Sequence, residues 1–418
     1  SWSKTTTKIE KQYSSKTLLK SELETNIRNS ISSSNIIDIH THLFPPEHTE
    51  YHKSGIIELL TYHYLTTEVI SVSNISPKIF FEFSKYEQAK FVWDQLFINK
   101  TPFSEASKGI VTILSTLGID SYKLSFEILL DEIKNKDLDE NLVFEIMNIK
   151  HVIMTNDPFN EKEWSLFNLK TWDRDKYRAS IRLDDVFFNK NNQFYLDEKN
   201  NMSSILKVSF KDFLDHITSK VNPAYFALSL DGNGLKSVLR NPLFLEVLLT
   251  HLVDNKIPLS LMVGVKRGVN KSLGLGGDGL GTDGLEELEI LASANSELKI
   301  LVTHLSNTAQ HRIAILSRKF PNITIFGFWW FNNQPSLIKK DLKMRFDLLG
   351  FDQILQHSDA RVHEQIIYKW KHFQEILLAE LLERYNFLID SGWNPSEKDI
   401  EKDIKNLFID FPKSLLLK

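Results

Sequence analysis

Two rhythms of apolar and polar positions run along this chain. The first is a strand rhythm. Ile36, Ile37 and Ile39 open a short apolar run, 35–42, that ends in His40 and His42. From residue 151 onward, further short runs rich in Val, Ile and Phe predict strands at 151–154, 178–182, 225–230, 258–265, 299–304, 323–330 and 353–357. With the opening run they make eight. The second rhythm is helical and falls between the strands, at 209–221, 242–255, 285–294, 308–319 and 336–348. Strands alternating with amphipathic helices imply βα units and a parallel sheet, and eight of them predict an α/β fold of the (β/α)8 TIM-barrel kind.

Three stretches stand outside this alternation. Residues 45–148 form a long, aromatic-rich helical region with helices expected at 84–97, 104–116, 124–133 and 140–146. As an insertion after strand one, it far exceeds the usual βα loop of roughly 2–6 residues. A helix over 15–29 is expected to pack across the bottom of the barrel, and one over 368–385 to dock the end of the chain. The organisation expected is an N-terminal helical segment, 1–34, followed by a barrel over 35–418.

Composition narrows the partners. The chain has 418 residues, 42% hydrophobic and 25% charged, the make-up of a soluble globular protein. A net charge of −4 supplies no basic excess for nucleic acid. There is no cysteine, which excludes disulfides and thiolate chemistry and fits a reducing, cytoplasmic setting. No apolar run reaches the ~18 residues of a membrane span. Residues 1–34 lack the apolar core of a secretory signal, and an opening Ser rather than Met is what a processed or engineered start would leave. A homo-oligomer is compatible with all of this.

In a barrel of this kind chemistry sits at the C-terminal ends of the strands. Polar side chains do gather there: His40 and His42; Thr155, Asn156 and Asp157; Arg182 and Asp184; Asp231 and Asn233; Lys266 and Arg267; His304; Trp329, Trp330 and Asn332; Asp359 and Arg361. In a regular strand Asp38, His40 and His42 share one face. Strands one and eight are neighbours in a closed barrel, so His40, His42 and Asp359 can converge on one divalent ion and leave a coordination position open. A bare His-x-His pair also arises by chance, and Asp157, Asp184 and Asp231 suit helix capping equally well. Arg182, Arg267 and Arg361 suit an anionic small molecule, or else local ion pairs. Tyr62, His63 and Tyr64 can lean over the barrel mouth, although a histidine among aromatics is more often core. The stretch 274–284 holds six of the 16 glycines. It reads as a mobile loop, either a lid or plain surface.

These residues together resemble the uronate isomerase (glucuronate isomerase) family, a divergent branch of the amidohydrolase superfamily. The resemblance runs through Ile37-Asp38-Ile39-His40-Thr41-His42-Leu43, Tyr62-His63-Tyr64, Met154-Thr155-Asn156-Asp157-Pro158 and Ser180-Ile181-Arg182-Leu183-Asp184. Its most specific part is Phe328-Trp329-Trp330-Phe331-Asn332-Asn333-Gln334. Ser358-Asp359-Ala360-Arg361, followed by Tyr368 and His372, is similar to the family's Thr-Asp-Ser-Arg segment. The resemblance implies metal-assisted aldose–ketose interconversion, D-glucuronate to D-fructuronate and D-galacturonate to D-tagaturonate. It implies that His40, His42 and Asp359 hold the metal, usually zinc, and that Asp359 and Arg361 lie near the reacting carbons. It further implies that Arg182, His63, Tyr64 and Asp231 line an acidic sugar; Arg267, Trp329 and Trp330 are the other substrate-side candidates.

Two positions depart from the family. Met262 stands where the family has a histidine after strand five, and 305–308 lacks the family's arginine after strand six. His304 is expected to take over part of that polar function, as a fourth metal ligand or a substrate contact. Two rival readings stand beside the isomerase. One is a metal-dependent hydrolase acting on an acidic ester, lactone or amide. The other is a sugar-acid binder without catalysis.

Overall fold

The structure, a computed structural model, describes residues 18–136, 138–197 and 204–417. Its strands are β1 (Ile36–Asp38), β2 (Ile149–Ile153), β3 (Tyr177–Arg178), β4 (Ile181–Arg182), β5 (Phe226–Leu230), β6 (Leu259–Val263), β7 (Val265–Lys266), β8 (Gly279–Leu280), β9 (Ile300–His304) and β10 (Ile323–Ile325). β1-β2-β3 and β10-β9-β6-β5-β4 are two parallel arcs, while β7 and β8 form an antiparallel hairpin at the mouth.

Backbone hydrogen bonds join the arcs into a ring. Asn156 N–H donates to the Ser180 carbonyl at 3.2 Å and Arg182 N–H to that of Asn156 at 2.8 Å, which links β2 to β4. The eighth stave is shorter than the strand expected at 353–357. It is a single bridge of Ile354 to Phe326, with Ile354 N–H on the Ile325 carbonyl at 3.0 Å. Asp359 N–H on His40 O (3.1 Å) and His42 N–H on Ala360 O (2.8 Å) close the ring between staves eight and one. The architecture is a (β/α)8 barrel with the expected helical insertion after β1.

The period of two sorts the side chains. Ile37, Ile153, Ala227, Met262, Leu301, Phe326 and Ile354 fill the interior. Ile181, Phe226, Leu228, Leu259, Leu261, Ile300 and Val302 point outward beneath the helices. The bottom of the barrel is covered differently from what the sequence pattern predicts. The helix expected at 368–385 is longer, Gln365–Asp390, and does not end the chain. Helices Glu397–Lys405 and Phe411–Leu416 follow it, and Ile409 and Leu416 plug the barrel interior from below. The N-terminal helix, Leu23–Ser33, packs against Gln365–Asp390 and Glu397–Lys405. The part of it expected at 15–17 lies outside the described residues. Among the described residues no helix is long and apolar enough to cross a membrane.

Candidate active site at the barrel mouth

β1 as a regular strand ends at Asp38, and there the expected common face of Asp38, His40 and His42 breaks. Asp38 is fully buried. Its carboxylate accepts from the Trp370 indole N–H at 3.0 Å and from Ser358 N–H at 3.1 Å, so it ties stave one to stave eight and to the helix behind them. His40 and His42 turn into the mouth instead, their rings edge to face at 5.2 Å.

Asp359 meets both. Its Oδ1 lies 3.1 Å from His40 Nε2 and 3.0 Å from His42 Nε2, and the three ligand atoms lie within 4.8 Å of one another. Oδ1 is buried, yet neither contact has hydrogen-bond geometry. Three donor atoms crowd a common point without satisfying one another, as ligands of one ion would. The His40 tautomer agrees. The Tyr225 hydroxyl donates to Ile39 O at 2.8 Å and stands 3.4 Å from His40 Nδ1, so Nδ1 carries the proton and Nε2 keeps its lone pair. Burial, then the charge of Arg361, pulls the His42 pKa down to about 3 against the opposing pull of Asp359, which leaves a neutral imidazole. Two imidazoles and a carboxylate, with a position left open, fit a divalent metal ion.

A cavity of about 390 Å³ opens over this set. Arg361, Arg182, Arg267, Trp329 and Trp330, from positions expected at strand ends, line it together with His63 from the helical insertion. The three arginines are not equivalent. Arg182 Nε donates to Asp184 at 2.8 Å and Arg267 to Asp278 at 2.8 Å, so both carry the local ion pairs weighed against ligand binding. Arg361 lies within ion-pair distance of no carboxylate among the described residues. Of the two tyrosines expected to lean over the mouth, Tyr62 rather than Tyr64 lines the cavity. It shares the cavity wall with His63, and burial pushes its hydroxyl pKa up, so it stays protonated. Burial and the Arg361 charge bring His63 down to about 3. Ala227, Met262 and Leu275 make the apolar part of the wall.

Three expected residues lie elsewhere. Asp231 caps the helix Gly232–Val238, its Oδ1 accepting from Gly234 N–H at 2.9 Å. His304 follows Ile300 and Val302 onto the outward face of β9. Its Nε2–H donates to Asp283 O at 2.8 Å and its Nδ1 accepts from Ser306 N–H at 3.0 Å, so no lone pair is left for a metal or substrate. Tyr64 faces a second cavity behind His63, where it stacks on Trp330 at 5.8 Å. The glycine-rich stretch is tied down at the mouth through β8. A side chain at Gly276 or Gly277 would collide with Thr67 Oγ1 or Asn270 O, and Gly274 and Leu275 overhang the cavity.

Buried imidazoles make stability depend on pH. His42, His63, His357 and His363 all have pKa values lowered to about 3, burial being the largest cause in each, against 6.5 in the unfolded chain. Between these values the unfolded chain binds more protons, so stability rises with pH and is fully present above about 6.5. At pH 5 each costs on the order of 1–2 kcal/mol relative to neutral pH. Thermal melts should therefore show a clearly lower Tm at pH 5 than at pH 7.5, and a flat profile would refute buried, neutral histidines.

Known proteins can now be set beside this geometry. No family model and no curated protein sequence matches the chain. Solved structures do. A uronate isomerase from Bacillus halodurans C-125 superposes with a TM-score of 0.88 at 32% identity, over 96% of this chain and 97% of that one. A uronate isomerase from Thermotoga maritima gives 0.74 at 17% identity over 94% and 97%, and a glucuronate isomerase from Caulobacter crescentus 0.71 at 15% over 95% and 94%; these two share the fold. Identity of 32% sustained over nearly the full length of both chains places this protein in the uronate isomerase family.

Proposed function

We propose that this enzyme isomerises hexuronic acids, D-glucuronate to D-fructuronate and D-galacturonate to D-tagaturonate, with zinc at the His40–His42–Asp359 site and in a cytoplasmic setting. The observation that carries this reading is the meeting, in one cavity, of a three-ligand metal set and an arginine with no carboxylate partner among the described residues. The reaction moves the C2 proton to C1 and the O2 hydroxyl proton to O1, by way of an enediol. It needs a proton acceptor, a donor and positive charge near the oxygens. Asp359 is ionised and can accept a proton at its carboxylate. The Tyr62 hydroxyl, held protonated, can donate one. Arg361 offers a fixed cation to an anionic oxygen of the sugar. A bound divalent ion supplies Lewis acidity toward a substrate oxygen.

The hydrolase alternative leaned on His304, and that residue is turned outward and fully hydrogen-bonded. Incubating the zinc-loaded protein with D-glucuronate and with D-galacturonate, and following the products by NMR, tests the proposal. Ketose signals are expected. Their absence with hydrolysis of a lactone or ester panel would select the hydrolase. Thermal stabilisation by the sugar acids without turnover would select the binder.

A further inference from the structure

A second space lies beside the metal cavity, lined in part by the same residues. This vestibule, about 510 Å³, is larger than the metal cavity beside it. Tyr62, His63, Leu275 and Arg361 form the shared wall between the two.

Cationic, hydroxyl and aromatic side chains line the vestibule. Lys53 and Lys271 line it, and neither has an ion-pair partner among the described residues. The carboxylate on its wall, Glu58, is neutralised by Lys85. Excess positive charge therefore faces an open space, which favours an anionic ligand. Thr61, Thr66 and Ser272 also line it; their hydroxyls donate within the protein, to Ile57 O, His63 O and Asn270 Oδ1, which leaves their oxygens as acceptors toward sugar hydroxyls. Phe81, 44% exposed, offers a ring face for sugar C–H groups. Arg361 belongs to both spaces, so a ligand filling both would put one acidic unit on each side of it.

We infer that the vestibule is a second uronic-acid subsite, and that the protein accepts a hexuronate carrying another uronic acid on its non-reducing side. This rests on the isomerase reading. The reducing-end unit occupies the metal cavity and opens its ring there; the C2 proton moves to C1 and the O2 hydroxyl proton to O1. The second unit lies against Lys53 and Lys271, and the glycosidic bond neither forms nor breaks.

The test compares D-galacturonate with 4-linked digalacturonate, for the native protein and for a Lys53→Ala, Lys271→Ala double variant. In the native protein the disaccharide should give a reducing-end ketose by NMR with its glycosidic bond intact, at a kcat/KM no lower than that of the monosaccharide. The double variant should lose about 10- to 100-fold on the disaccharide, from two charge-assisted contacts, and stay within about twofold on the monosaccharide, since neither lysine reaches the metal cavity. The inference is overturned if digalacturonate is neither turned over nor competitive with galacturonate, or if the double variant slows both sugars equally. Absence of ketose from either monosaccharide would instead defeat the isomerase reading. Calorimetry then decides the subsite: tighter binding of the disaccharide, lost in the double variant, supports it, and equal affinities overturn it.

Discussion

Replacing His42 by Ala will strip the protein of its divalent metal, and replacing His40 will do the same. Each supplies one of the three ligand atoms that meet at Asp359. Losing a ligand costs more than the roughly 10- to 100-fold in metal affinity typical of changing a residue behind the ligands. After dialysis, elemental analysis should find close to one equivalent in the native protein and little in either variant. Isomerisation should fall by about a thousandfold or more, the metal being one of the main sources of transition-state charge stabilisation. His304→Ala is the informative contrast. Its ring bonds to Asp283 and Ser306 outside the cavity, so that variant should lose stability and keep its metal. Equal metal in native and His42→Ala protein would remove the site from the barrel mouth.

That contrast shows where the sequence was readable. The His40–His42 pair and Asp359 could be matched because a barrel makes its first and last staves neighbours, and eight apolar runs were countable. The facing of His304 could not be read. Ile300, Leu301 and Val302 are all apolar because β9 is buried on both faces, so no polar alternation marks which side is inward. Tyr62 rather than Tyr64 turned out to face the metal cavity for a different reason. The helix starts at His63, and a one-residue difference in where a helix begins decides which neighbour turns toward the cavity. For Asp231 two chemistries use the same residue type at the same place, and capping took it. The missed C-terminal helix carried a legible signal, Ser396 and Asp399 in a reciprocal capping box ahead of Ile400 and Ile404. Asp38 misled because regular alternation stops one residue beyond it, and nothing local in Ile39-His40-Thr41 announces the turn into the mouth.

Arg361→Met should separate binding from stability. The substitution keeps an unbranched apolar stem of similar reach and removes the guanidinium, and it breaks no ion pair among the described residues. The backbone N–H of Arg361 still donates to Gln365 Oε1 at 2.9 Å, so the loop after stave eight stays anchored. Stability should change by about 1 kcal/mol or less, in the range of a substitution that disturbs neither core packing nor a buried network. Sugar-acid affinity should fall much further. A charge-assisted contact to a carboxylate in a partly enclosed cavity contributes about 2–3 kcal/mol, or roughly 30- to 150-fold in Kd. Its loss should be larger in kcat/KM if the same cation also faces charge developing on the sugar oxygens. Calorimetric titration with a non-reacting sugar acid, beside thermal melts of the same samples, measures both. His42 adds an internal check. Arg361 is the second-largest influence lowering its pKa, so removing that charge should raise the value toward the unfolded 6.5, narrow the window between the two and lessen the stability lost on acidification. A variant that loses affinity and melting temperature in step, with the same loss of stability in acid as the native protein, would make Arg361 a structural residue and leave the acidic sugar without its cation.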